Sequence, residues 1–88
     1  MTDMLDERRR SERRRVLRRG RIVFRNGYGA IDCVVLDVSD GGARLRAPAA
    51  LMIPDLFRLS VDDGSSHDVA VCYRGAGVAG VRFLDALA

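Results

Sequence analysis

The sequence predicts an all-β domain, an antiparallel sandwich or small barrel of six short strands. Three observations predict it. Apolar and polar residues alternate with a period of two in run after run. The runs recur at roughly ten-residue spacing. Between them lie turn-forming clusters of Gly, Asp, Asn and Ser. With 88 residues and 48% apolar side chains, the chain supports one small domain near the lower limit for a self-sufficient core.

The elements follow in order. Residues 1–19 read as a polar arm, punctuated by Gly20. RIVFR at 21–25 is the first strand, with Ile22 and Phe24 on one face, and NGYG at 26–29 is a turn. AIDCVVLDV at 30–38 is the second strand. Its alternation places Ile31, Cys33, Val35 and Asp37 on one face and Asp32, Val34, Leu36 and Val38 on the other. After the turn SDGG, ARLRA at 43–47 points Ala43, Leu45 and Ala47 inward and Arg44 and Arg46 outward. PAALMIPD at 48–55 is a loop with room for one helical turn. FRLSV at 57–61, the hairpin turn DDGSS at 62–66 and DVAVCYR at 68–74 follow. VAGVRF at 78–83 is the last strand, and LDALA at 84–88 is at most a frayed helical turn.

Charge is the unusual feature. All 15 basic residues are arginine. Ten of them fall in residues 1–25 against four acids, a net of +6, whereas residues 26–88 carry five against eight, a net of −3. A basic arm on a mildly acidic body suggests an anionic partner. Arginine favours planar, bidentate recognition of phosphates and base edges. A helical arm would stack Arg9 on Arg13, Arg10 on Arg14, Arg14 on Arg18 and Arg15 on Arg19, and like charges at that spacing oppose a helix. The free arm is therefore expected to be mobile, and a polyvalent anion to order it. A solvated basic tail is the plainer reading of the arm taken alone.

Cys33 and Cys72 lie far apart in apolar runs and are expected to be buried, reduced thiols. His67 is the only histidine, so no metal set is expected, and it reads as a solvated turn residue. Arg44, Arg46, Arg58, Arg74 and Arg82 alternate outward, with Arg44 or Arg74 able to line the rim near residue 37. No apolar stretch reaches membrane-spanning length, and MTDMLDERRR has no apolar signal region, so a cytoplasmic protein without membrane insertion is expected.

Two stretches together resemble the PilZ domain, a family that binds the bacterial second messenger cyclic di-GMP. The first is RxxxR in the arm, read as Arg9-Arg10-Ser11-Glu12-Arg13, with Arg10/Arg14, Arg14/Arg18 and Arg15/Arg19 as other registers. The second is [D/N]xSxxG, matched in full by Asp37-Val38-Ser39-Asp40-Gly41-Gly42. One strand and one turn separate the two, and GVAGVRF is similar to the family's closing strand. The resemblance covers nearly the whole chain. It implies a six-stranded antiparallel barrel of split-barrel type over residues 20–88 and an arm over 1–19. It also implies ligand contacts from Arg8, Arg9, Arg10 and Arg13 and from Asp37, Ser39, Gly41 and Gly42.

The chemistry suits those residues. An arginine fork matches guanine O6 and N7 and also phosphate oxygens. A carboxylate such as Asp37 can accept from guanine N1–H and the 2-amino group. Ser39 is small and can give or take one hydrogen bond, and Gly42 can let the backbone approach a ligand or take a positive φ. By alternation Asp37 falls on the inner face, at the barrel's rim. The plainer reading of the turn is local: Asp37 and Ser39 cap it, and the glycines serve its geometry.

The resemblance points to a non-enzymatic cyclic di-GMP receptor, a monomer or weak dimer. It would act in trans on an unidentified downstream protein in motility, attachment or exopolysaccharide control. Two other readings stand beside it. One is a PilZ-like adaptor that binds no nucleotide. The other is a nucleic-acid-binding module using the arm, against which the acidic body and the lack of interleaved aromatics count. No catalytic Ser/His/Asp set and no metal-ligand cluster appears, so an enzyme is not expected.

Overall fold

In a computed structural model the described residues are 13–85. They form six strands: β1 Arg14–Val23, β2 Ala30–Val38, β3 Gly42–Arg46, β4 Leu56–Val61, β5 Ser66–Gly75 and β6 Val78–Phe83. A single 3-10 turn, Ala50–Met52, lies between β3 and β4. The strands close into a barrel in the order β1-β2-β3-β6-β5-β4, every pair antiparallel. The closing seam is short: β4 pairs only with Gly20–Val23 of β1, and residues 14–19 pair with β2 alone. The inward side chains fill the interior, led by Phe57, Ile22, Leu45, Leu59, Val35 and Val69.

The expected all-β barrel is what the chain forms, with four local differences. Strand β1 starts at Arg14, so residues 14–19, read as arm, pair with β2. The repulsion that opposes a helix there does not oppose a strand. An i,i+4 pair lies about 6 Å apart on a helix but about 13 Å along a strand. Val16, packed against the core, adds an apolar reason for this segment to join the wall.

Strand β5 starts at Ser66, which takes His67 out of the turn and pairs it with Leu59. The His67 ring stacks on Phe83 with centroids 4.4 Å apart, and its Nδ1 lies 3.3 Å from Asp85 Oδ1. Cys33 is buried as expected, but Cys72 is exposed. Val69 and Val71 face the core, so Cys72 beside Val71 points outward by alternation alone; the bulge that follows, one extra residue of β5 against β6 between Val71 and Tyr73, turns Tyr73 outward as well.

Two more bulges shape the far end of β2. Between Arg15 and Arg18, β1 carries one extra residue against β2, with Leu17 at φ 46°. Between Val35 and Asp37, β2 carries one extra residue against β3. Bulges sharpen local twist and help a small sheet close. The second bulge also resets which face β2 presents. Asp37 stands opposite Arg44, and Val38 opposite Ala43. Directly opposed residues share a face, and Ala43 is buried while Arg44 is exposed. Asp37 therefore lies on the barrel's outer face, not the inner one that uninterrupted alternation predicts, and Val38 takes the inward position.

Candidate functional site

Asp37 is the centre of the site. Its neighbours put two guanidinium groups on one carboxylate. Arg13 Nη1 donates to Asp37 Oδ1 at 2.9 Å. Arg44 donates to Oδ2 twice, from Nε at 3.0 Å and from Nη2 at 2.8 Å. The carboxylate's side chain is only 9% exposed, yet it lies on the outer face, covered by the arginines themselves. Arg15 stands opposite Asp37 on the β1 side. The bonds are charge-assisted and short, the strong class of hydrogen bond. Two guanidinium groups on one carboxylate leave the cluster cationic.

The turn after Asp37 is held mainly by backbone. Ser39 N–H donates to the Gly42 carbonyl at 2.8 Å, while the Ser39 hydroxyl reaches the same oxygen only at 3.5 Å. The Gly41 carbonyl accepts from Phe83 N–H at 2.8 Å, tying the turn to the end of β6. Gly42 does not have the positive φ considered for it; among the described glycines Gly27, Gly64 and Gly77 do. Its requirement is steric: a Cβ there would sit 2.1 Å from the Val81 carbonyl oxygen. The close approach is to β6. Around Gly41 there is open space on the side where a Cβ would stand.

Of the arginines singled out in sequence, Arg8, Arg9 and Arg10 lie outside the described residues. Arg13 is described and reaches Asp37. Arg14, Arg15, Arg18 and Arg19, which carry the alternative registers of the arginine pair, all lie in β1. Arg18 is engaged with Asp62 at 3.3 Å. Thus the structure joins Arg13, Asp37, Ser39, Gly41 and Gly42 in one corner of the barrel.

It also brings in residues the site reading left out. Across the outer face run Arg15, Asp37, Arg44, Gly80 and Tyr73, each opposite the next on β1, β2, β3, β6 and β5. The Tyr73 ring lies over Gly80, where a Cβ would come within 2.1 Å of it. Sequence offered Arg44 and Arg74 as equal candidates for the rim. Arg44 is there; Arg74 instead donates to the Ile53 carbonyl at 2.7 Å and to Asp55 at 2.8 Å, pinning the loop before β4. Tyr73 carried no signal, because only the pairing of β3 with β6 sets β5 near β3.

A concavity lies elsewhere on the barrel. An open groove of about 900 Å³ lies further along β1 and β2, lined by Arg19, Arg21, Asp32, Val34, Arg46 and Pro48 among others. It does not include Asp37 or the turn. The chemistry concentrates at Asp37, where charges converge on one buried group. The groove's Arg21–Asp32 pair is an open surface contact at 3.4 Å. Among the described residues no group of three or more His, Cys, Asp or Glu could hold a metal ion. No described helix is long and apolar enough to cross a membrane.

Comparison with known families gives one match: the family model for the PilZ domain aligns with residues 7–86, nearly the full length. No curated protein matches the chain.

Proposed function

Because the chain belongs to the PilZ domain family, we propose that it is a non-enzymatic receptor for cyclic di-GMP. The observation that carries this reading is the contact between Arg13 and Asp37, 24 residues apart in sequence. It puts one arginine of the first motif against the carboxylate of the second. The ligand lies at this corner, between the arginines of residues 8–13 and the turn at 37–42.

The residues divide the work by chemistry. The ligand offers two phosphates and two guanine edges. Arg8, Arg9, Arg10 and Arg13 supply forked donors to phosphate oxygens and to guanine O6 and N7. Asp37 supplies the one carboxylate, suited to guanine N1–H and the 2-amino group. Ser39 adds a small hydroxyl, and the Gly41-Gly42 turn presents backbone without side-chain bulk. In the free protein Asp37 occupies Arg13; the ligand's phosphates compete for that arginine. Arg13 changing partner, with the segment before it, alters the surface presented to a downstream protein. That altered surface is the output.

The test is a calorimetric titration of cyclic di-GMP into the purified protein at physiological salt, with GMP and a short DNA duplex as controls. Saturable heat with the cyclic dinucleotide alone is the expected result, and the fitted ratio gives one ligand or two. No heat with any of them overturns the receptor reading in favour of an adaptor acting by protein contact. Binding to the duplex that fades with added salt assigns the arginines to nucleic acid.

A further inference from the structure

We propose that Arg44 on β3 is a further ligand-binding residue, a guanidinium that Asp37 holds ready for a phosphate group. The inference rests on the receptor reading above and assigns Asp37 a second role, as the positioning residue for Arg44.

The geometry distinguishes Arg44 from Arg13. Arg13 precedes β1 and makes one hydrogen bond to Asp37. Arg44 is rooted in the wall, with Ala43 and Leu45 on either side of it buried at 1% and 0% exposure. Its strand begins at Gly42, which packs so closely on the Val81 carbonyl that no side chain fits between. The Arg44 backbone therefore has little freedom. Its side chain is fixed in turn, because Nε and Nη2 both grip one carboxylate oxygen. A guanidinium has five N–H donors in a plane. Two face Asp37, which leaves three, including the Nη1 pair, for an anion on the far side.

Charge supports the same assignment. Arg13 and Arg44 hold the single carboxylate of Asp37, and Arg15 stands opposite it in register, an excess of two positive charges among these four residues. Two phosphodiester groups carry two negative charges. If Arg13 alone served them, the fixed cation beside it would be left facing solvent with its fork already oriented. A pre-oriented fork loses less side-chain freedom on binding than one that must first be ordered.

The position explains why sequence could name Arg44 only as one of two candidates for the rim. Arg44 lies outside both motifs, and outward arginines on strands are usually solvated. Only the bulge that turns Asp37 outward brings it onto the face where Arg44 stands.

The experiment is a titration of cyclic di-GMP into the wild-type chain and into Arg44→Gln, Arg44→Lys, Asp37→Ala and the Asp37→Ala/Arg44→Gln double variant. Thermal melts of each variant establish that it is folded. Gln keeps the aliphatic stem without the charge, so a folding failure is not expected at a side chain that is 44% exposed. Arg44→Gln is expected to weaken binding about ten- to hundredfold. Lys should recover part of the loss, since it restores charge but not the fork. The double variant should bind more tightly than two independent losses would allow, because Asp37 acts partly through Arg44. Wild-type binding with Arg44→Gln unchanged overturns this inference and leaves the receptor reading intact. Fully additive losses overturn the positioning role of Asp37. Absence of wild-type binding removes the receptor reading itself, and this inference with it.

Discussion

Asp37 shows what one residue can carry. Its carboxylate is nearly buried between Arg13 and Arg44, so both its ionic partners and its ligand role depend on the same two oxygens. Arg13→Ala and Asp37→Ala should each weaken cyclic di-GMP binding by about 1–3 kcal/mol, the usual worth of a bidentate polar contact. Both should keep the barrel, because neither residue belongs to the apolar core; calorimetry and far-UV circular dichroism on the same samples check the pair of claims. Gly42 makes the opposite case, of a motif residue whose structural duty is independent of any ligand. Gly42→Ala must push a Cβ into the Val81 carbonyl. A loss of about 1–3 kcal/mol of stability is expected, read as a lower urea midpoint without ligand present. An unchanged midpoint would mean that β3 and β6 can part at little cost.

At the scale of the element, the bulges matter most. Each inserts a residue into an otherwise regular strand and changes what faces the core. Leu17 sits in the first of them at φ 46°, a left-handed conformation that costs a side-chain-bearing residue about 1–2 kcal/mol. Leu17→Gly should therefore leave stability level or raise it by up to about 1 kcal/mol, whereas Leu17→Val, β-branched, should lower it. Denaturation curves giving the reverse order would show that this bulge adopts another backbone. The two thiols stand on opposite faces of the wall, Cys33 inward and Cys72 outward. Burial, reinforced by the nearby Asp32 charge, pushes the Cys33 thiol up to about 11 from the ordinary 9.0. Cys72 is exposed. A thiol reagent at neutral pH should label one cysteine in the native chain and two after unfolding. The raised Cys33 value also has a pH consequence. The unfolded chain ionises this thiol first, so its contribution is complete below about pH 9, falls as pH rises, and is gone by about 11. Cys33→Ala should flatten the stability profile across that window.

Over the whole molecule, closure and core work together. Six strands close into a ring, and the interior is filled by a few large side chains, Phe57 first among them. A domain of this size has roughly 4–13 kcal/mol of stability in all. Phe57→Ala removes a fully buried aromatic and should cost about 3–5 kcal/mol. Chemical denaturation should show either a sharply lowered midpoint or loss of the cooperative transition. A loss under 1 kcal/mol would mean that the barrel collapses around the gap, contrary to the close packing of its interior.

Much of this was legible in the order of residues. Period-two alternation and turn clusters determined the six strands, and β2 and β6 match their expected limits because Gly, Asp and Asn bracket them sharply. Alternation also determined the inward row Ala43, Leu45 and Ala47. The motif Asp37-x-Ser39-x-x-Gly42 determined where to look for a site, since polar residues interrupting an apolar strand are a local signal. The face on which Asp37 stands was settled by tertiary structure. A bulge is set by how two strands register against each other, and a single strand read alone keeps its alternation through the insertion. The true start of β1 was settled in the same way, by pairing with β2 that offsets what the arginine run predicts locally. So were the partners Arg44 and Tyr73: the bulge in β2 brings Asp37 onto the face of Arg44, and the pairing of β3 with β6 brings the β5–β6 hairpin, with Tyr73, alongside. Sequence pattern records the preferences of each segment; contacts between segments arise from register and closure, which no segment contains.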